Sequence, residues 1–256
     1  MSPAPPSTSV PLIPLTRRVD GEWTVGGAIV FALVVVGVSQ LVGLLLLQWS
    51  LGRMPASLEP VRGPRPAGAG QVFVTVQLTI QILQITLALV LAGWGGGRRL
   101  AALDLRPVRL GAGQWLALIV AFFVIKMVAS TLAAGMSGVG TREQLEPFRA
   151  LLREPGTQAI FLLTVVLAGL SEELVFRGVL SRTFETTRLG FWIGAGLVNG
   201  VFALVHLQYG ASGQFVVFVI GMTLSWIRAR TGSLWPTIVC HAANNAIAFL
   251  AMRSLL

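Results

Sequence analysis

The sequence predicts an all-α polytopic membrane protein of about seven transmembrane helices. Three observations predict it. Of the 256 residues, 54% are hydrophobic and only 11% are charged, whereas a soluble domain carries about 25% charged residues. The mean hydropathy is +0.78. The polar residues also gather between apolar runs long enough to cross a bilayer, which takes roughly 20 residues.

The net charge of +9 comes almost wholly from arginine, since Lys126 is the only lysine. In a soluble protein that balance points to nucleic acid. Here the arginines cluster between apolar spans, so retention of positive charge on the cytoplasmic side accounts for them. The expected surroundings are a lipid bilayer, in the cell (cytoplasmic) membrane, with no nucleic-acid partner. Cys240 is the only cysteine, which rules out a disulfide within the chain.

In chain order, residues 1–22 read as a disordered N-terminal tail, rich in Pro and Ser up to Asp20. The tail does not read as a cleavable signal, because the apolar run after it is too long. Residues 23–156 hold three spans with polar loops, and residues 157–256 form the second part of the chain. Span one is Trp23 to Leu51, followed by a Pro/Gly/Arg loop from Arg53 to Gly70. Span two is Gln71 to Trp94. It carries Gln77, Gln81 and Gln84 at helical spacing, a polar stripe expected to face the bundle interior. A basic loop, Gly95 to Gly113, leads to span three, Gln114 to Met136.

Lys126 lies in the middle of span three, too deep to snorkel easily. Two readings stand side by side: a pair with a carboxylate of another span, Glu172 for instance, or a water-filled or locally thinned site. Ser137 to Gly156 is polar, with Pro147 suited to the first turn of a short helix and Phe148, Leu151 and Leu152 apolar. It is either a helix on the membrane surface or a plain connection. Span four is Thr157 to Arg182, span five Phe191 to Tyr209, span six Phe215 to Ile227 and span seven Trp235 to Met252. The arginine distribution places the N-terminus in the cytoplasm and, with an odd number of spans, the C-terminus outside.

Span four contains Gly169-Leu170-Ser171-Glu172-Glu173-Leu174-Val175-Phe176-Arg177-Gly178. A charge near the bilayer centre costs at least a few kcal/mol, so an acid there points to function. Glu173 and Arg177 are four apart with the acid first, the favoured ion-pair orientation. Glu172 is rotated about 100° from Glu173 and has no partner on its own helix. Interhelical glue accounts for a pair but does not require an unpaired second acid.

Both histidines fall in late apolar spans: His206 ends Phe202-Ala203-Leu204-Val205-His206, and His241 opens His241-Ala242-Ala243-Asn244-Asn245. Glu172 and His206 each lie about 17 residues from the turn near Leu189-Gly190, roughly 25 Å along their helices. They can therefore meet across the hairpin if span four continues to about Thr187. His241 starts shallower, and helix offset, tilt or an irregular approach through Gly232 to Pro236 must supply the difference. Asn245 shares a face with His241, and Asn199 shares one with His206. A desolvated carboxylate beside imidazoles and carboxamides suits the activation of water against a carbonyl. The same groups, Glu172, His206 and His241, also suit zinc with an open position. No His-Glu-x-x-His helix is present to support a zincin.

These residues resemble those of the CPBP family, the CAAX-protease and bacteriocin-processing (Abi) intramembrane proteases, type II CAAX prenyl endopeptidase-like. The family pattern is Glu-Glu-x-x-x-Arg, then Phe-x-x-x-His, then His-x-x-x-Asn. It is matched by Glu172, Glu173 and Arg177, by Phe202 and His206, and by His241 and Asn245. The resemblance covers Thr157 to Met252. It implies helices enclosing an intramembrane catalytic cavity and proteolysis of a membrane-associated protein or peptide. It also implies roles: Glu172 and His206 activate water, His241 and Asn245 stabilise the oxyanion, and Glu173 with Arg177 supports the helix. The resemblance leaves open a metalloprotease with zinc or a glutamate-dependent, metal-free enzyme. Since a zinc-bound His needs an oriented second nitrogen and Glu173 is already paired, the residues favour the metal-free case. The competing class is a non-catalytic scaffold, immunity or transporter-like protein using the buried cluster as a proton relay.

Overall fold

The computed structural model describes residues 23–51, 68–94, 103–137 and 151–254, and these are helical with short turns and no strand. In order they form α1 (Val25–Leu51), α2 (Ala69–Gly93), α3 (Ala112–Ser137) and α4 (Thr157–Glu172). A π-helical segment, Glu173–Ser181, continues α4 directly into α5 (Arg182–Glu185). Then follow α6 (Gly190–Leu204), a 3₁₀ turn (Leu207–Tyr209), α7 (Gly210–Thr231) and α8 (Trp235–Arg253). Every expected span is thus a helix. The tail, most of the loop after span one, and the expected helix start at Pro147 and Phe148 lie outside the described residues.

Five stretches are long and apolar enough to cross a membrane: Val25–Ser50, Ala69–Gly93, Ala112–Met136, Thr157–Glu185 and Leu207–Thr231. The molecule is an integral membrane protein. α1 and α3 show why the outer surface must face lipid. Leu33, Leu41 and Leu44 on α1 and Val120, Met127 and Val128 on α3 all point outward and are exposed. A helix apolar all round belongs in a bilayer rather than at a water boundary.

Expected span five differs in one respect that matters. Its α-helix stops at Leu204, so α6 is about 22 Å long, short of a hydrocarbon core of roughly 30 Å. His206 is non-helical, with φ −89° and ψ 53°, and Gly210 turns at φ 60° where α7 starts. Irregular backbone at membrane depth persists only where protein or a cavity surrounds it. His206 and Tyr209 do line a cavity.

α2 lies between α1 and α4, α8 packs against α4, and α7 lies between α3 and α6. The main apolar cluster joins Phe31 and Val35 of α1, Ala88 and Ala92 of α2, Leu174 and Val179 of the π segment, and Leu234 with Ile238 at the start of α8. A second joins Phe122 of α3 with Ile220 and Leu224 of α7 and Cys240 of α8. The helix ends are tied by charge. The Glu154 carboxylate accepts from the Gly70 N–H at 2.9 Å and from Gln71 N–H at 3.3 Å, a negative group on the positive end of α2.

At the opposite end, Asp104 contacts Arg182 at 2.5 Å and Arg228 at 3.5 Å. Arg228 also pairs with Glu185. The Asp104 carbonyl accepts the Leu234 N–H at 2.8 Å. One loop residue therefore holds α5, the end of α7 and the start of α8. Losing one partner of a buried ion set costs about 3–5 kcal/mol. Asp104→Ala should accordingly lower the melting temperature in detergent by many degrees, and an unshifted melt would show the network idle.

Candidate active site

The break in regular α-helix falls at the acidic pair. Glu172 is the last residue of α4 and Glu173 the first of the π segment. π turns inside α-helices are rare and concentrate at functional sites. Here the segment is buried on most of its surface, through Leu174, Val175, Gly178 and Val179. The two acids part company as expected from adjacent helical positions. Glu173 is wholly buried, while the Glu172 side chain keeps 24% of its exposure and lines a cavity of about 640 Å³.

Glu173 and Arg177 form the expected pair at 2.9 Å, both fully buried. The guanidinium goes on to donate Nη2–H to Asn199 Oδ1 at 2.8 Å and lies 4.3 Å from the centre of the Phe202 ring. A cation over an aromatic face in a dry site is worth about 2 kcal/mol or more. Asn199 in turn donates to the Ala195 carbonyl and to Ser225 Oγ, each at 2.9 Å. The sequence places Asn199 on the face of His206. Its partners make it instead the brace of Arg177, because the wide guanidinium reaches across to α6.

His241 sits between the two acids. Its Nδ1–H donates to Glu173 Oε1 at 2.8 Å, and its Nε2 is 3.6 Å from Glu172 Oε2. The depth deficit of His241 estimated from residue counts is closed by Gly169. A Cβ there would come within 2.9 Å of the Ala242 backbone nitrogen. Only a bare glycine lets α8 lie against α4 at that level. The expected depth match of Glu172 with His206 yields a shared cavity, while the ion-pair contact of Glu172 among the described residues is with His241.

His206 donates Nδ1–H to the Phe202 carbonyl at 2.7 Å, which makes Nε2 the acceptor of the neutral ring. Its ring stacks near Tyr209, 6.0 Å between centres and 11° between planes. Phe202 lies in T-shaped contact with both rings, His206 at 4.7 Å and His241 at 6.2 Å. Asn245 lines the same cavity and donates Nδ2–H to the Val165 carbonyl at 2.9 Å. Asn244 Nδ2–H reaches Asn245 Oδ1 at 3.2 Å. The glutamine stripe faces inward too: Gln77, Gln81 and Gln84 line the cavity.

Two expectations change. The argument that no acid remains to orient a histidine is overturned, since Glu173 Oε1 serves both Arg177 and His241. The zinc reading places Glu172, His206 and His241 on one ion. Among the described residues, however, no three His, Cys, Asp or Glu side chains converge as a set that would hold a metal. Lys126 stands 6.0 Å from the Phe123 ring centre and makes no ion pair with a described residue. Sequence reasoning missed Ser171 and Ser225, which carry no local signal beyond being hydroxyls in apolar helices.

The family described as Rce1-like, type II CAAX prenyl endopeptidase Rce1-like, matches residues 155–247. That range contains Glu172, Glu173, Arg177, Phe202, His206, His241 and Asn245. An uncharacterized 24.3 kDa protein of Escherichia coli is 30% identical over 92 residues, which are 35% of this chain and 42% of that protein. The chain therefore aligns with less than half the length of that relative. No solved structure matches.

The arginine geometry yields a test. Arg177→Ala strands a fully buried carboxylate and should cost about 3–5 kcal/mol of stability. Arg177→Lys should restore only part of it, because an ammonium cannot span Glu173 and Asn199 as a planar fork does. Thermal unfolding in detergent that ranks lysine equal to arginine would rule out the two-armed role.

Proposed function

We propose that this chain, whose residues 155–247 match the type II CAAX prenyl endopeptidase Rce1-like family, is an intramembrane endopeptidase. It hydrolyses a peptide bond of a membrane-associated protein or peptide in the cell membrane, using a water activated by Glu172 and histidine. The observation that carries this reading is the contrast between the acids. Glu173 is consumed by Arg177 and His241, while Glu172 borders the cavity 3.6 Å from a histidine nitrogen that Glu173 orients.

In this mechanism the Glu172 carboxylate takes a proton from water as the water oxygen bonds to the scissile carbonyl carbon. His206 Nε2, an acceptor because Nδ1–H is held by the Phe202 carbonyl, accepts from the same water and aims it. The carbonyl oxygen becomes an oxyanion. The second Nδ2–H of Asn245 donates to it, as does His241 Nε2 when it carries a proton. Glu172 then gives its proton to the leaving nitrogen as the carbon–nitrogen bond breaks. One water and one peptide bond yield a carboxylic acid and an amine. The residues do not fit a three-ligand metal site, so no step is routed through a metal.

Glu172→Gln keeps the volume of the side chain but cannot accept the proton. Cleavage of a reporter peptide should fall by at least a thousandfold, about 4 kcal/mol in barrier, with the melting temperature unchanged. Cleavage within tenfold of wild type would falsify the catalytic role and favour a non-catalytic scaffold. Chelator-washed protein should retain its activity without stoichiometric zinc. Zinc near one per chain that tracks activity would require His206 to join Glu172 and His241 on the ion.

A further inference from the structure

The polar wall that α2 gives the cavity has no role in the chemistry above. Gln77, Gln81 and Gln84 of α2 all line it. Gln84 is only 7% exposed, yet neither it nor Gln77 makes a hydrogen bond with another described residue. Their amide atoms are not sealed away from the cavity they line, and an amide that borders a cavity takes its partner from whatever fills it. Gln81 is different. Its Oε1 accepts from Ser171 Oγ at 2.5 Å, so its Nε2–H₂ group remains as a donor. Ser171 immediately precedes Glu172, which ties that donor to the position of the acid.

We propose that this glutamine row is a substrate-backbone subsite, which holds an extended peptide by its amide groups alongside Glu172. The inference rests on the endopeptidase reading and names what that enzyme grips. A peptide drawn into a membrane cavity as an extended strand loses the water that satisfied its N–H and C=O groups, and lipid offers no replacement. A carboxamide supplies both a donor and an acceptor, the complement of a peptide bond. The spacing agrees. Gln77 to Gln81 rises about 6 Å along α2 and Gln81 to Gln84 about 4.5 Å. An extended chain repeats same-side groups at roughly 6.6 Å. Gln77 and Gln81 thus meet successive same-side peptide groups, and Gln84 reaches the next. Backbone contacts ignore side-chain identity, so the row fixes where the chain lies and leaves sequence preference to the apolar walls.

The test uses full-length Glu172→Gln protein in detergent, immobilised, and a synthetic pool of apolar peptides of randomised sequence. Retained peptides are counted by mass spectrometry. Adding Gln84→Met or Gln77→Met should reduce retention at least tenfold. A pool with ester links at alternate backbone positions should be held as poorly by the parent as the amide pool is by the variants. Gln77→Met, at a less buried position, carries the test if Gln84→Met melts early. Equal retention by parent and variants overturns the inference, as does undiminished retention of the ester pool or no retention by the parent. A variant that retains peptide normally but, with Glu172 restored, cleaves slowly would also overturn it by moving the row to the path of water. Cleavage of the amide pool by wild-type protein separates the two readings. Glutamine-dependent retention without cleavage sinks the protease and leaves the row standing; cleavage indifferent to the glutamines does the reverse.

Discussion

One buried cation, Arg177, organises the site. Arg177 has no exposed side-chain surface, and a lone charge at membrane depth is costly enough that its neighbours must answer it. Glu173 supplies the countercharge, Asn199 an acceptor and Phe202 an aromatic face. Those three come from the π segment and α6. Through them, Ser225 of α7 and His241 of α8 join the same network. The close approach is possible because Gly221 of α7 has no Cβ, which would collide with Asn199 and Arg177.

Once Arg177 is fixed, the site follows. Glu173 cannot turn away from it, so its Oε1 holds His241 Nδ1 and thereby sets the direction of Nε2. The result is a histidine oriented by a buried carboxylate, the general arrangement that activates a base or nucleophile. His206 is oriented by a weaker acceptor, the Phe202 carbonyl. The two imidazoles therefore differ in electrostatic setting although both border the same cavity. That difference supports separate tasks for them in the proposed reaction, one beside the water and one beside the oxyanion.

The ends of the bundle are secured by separate means. Glu154 closes the start of α2, which has no side-chain cap of its own. Asp104 closes the other end, clasping arginines from α5 and α7. The Glu154 clamp ties the start of α2 to the turn before α4, and Ser171 to Gln81 adds a contact between the same two helices. The cavity is therefore walled by helices that are restrained at their ends.

The helical class, the span positions and the Glu173–Arg177 pair were legible from the sequence because each depends on short-range order. Hydropathy marks a span, and a four-residue step on a helix brings an acid to an arginine. The inward-facing glutamines were legible for the same reason, as one stripe at helical period. The partner of Glu172 was not. Counting residues from a shared turn pointed to His206, but that count assumes two straight α-helices of equal pitch. The π segment after Glu172 and the end of α6 at Leu204 both break the assumption. Nor does the sequence say that Gly169 admits the backbone of Ala242 and carries His241 to the acids, or that Asn199 serves Arg177 rather than His206. Those outcomes belong to tertiary structure, because they are set by how closely two helix surfaces approach, a distance that no spacing along a single helix encodes.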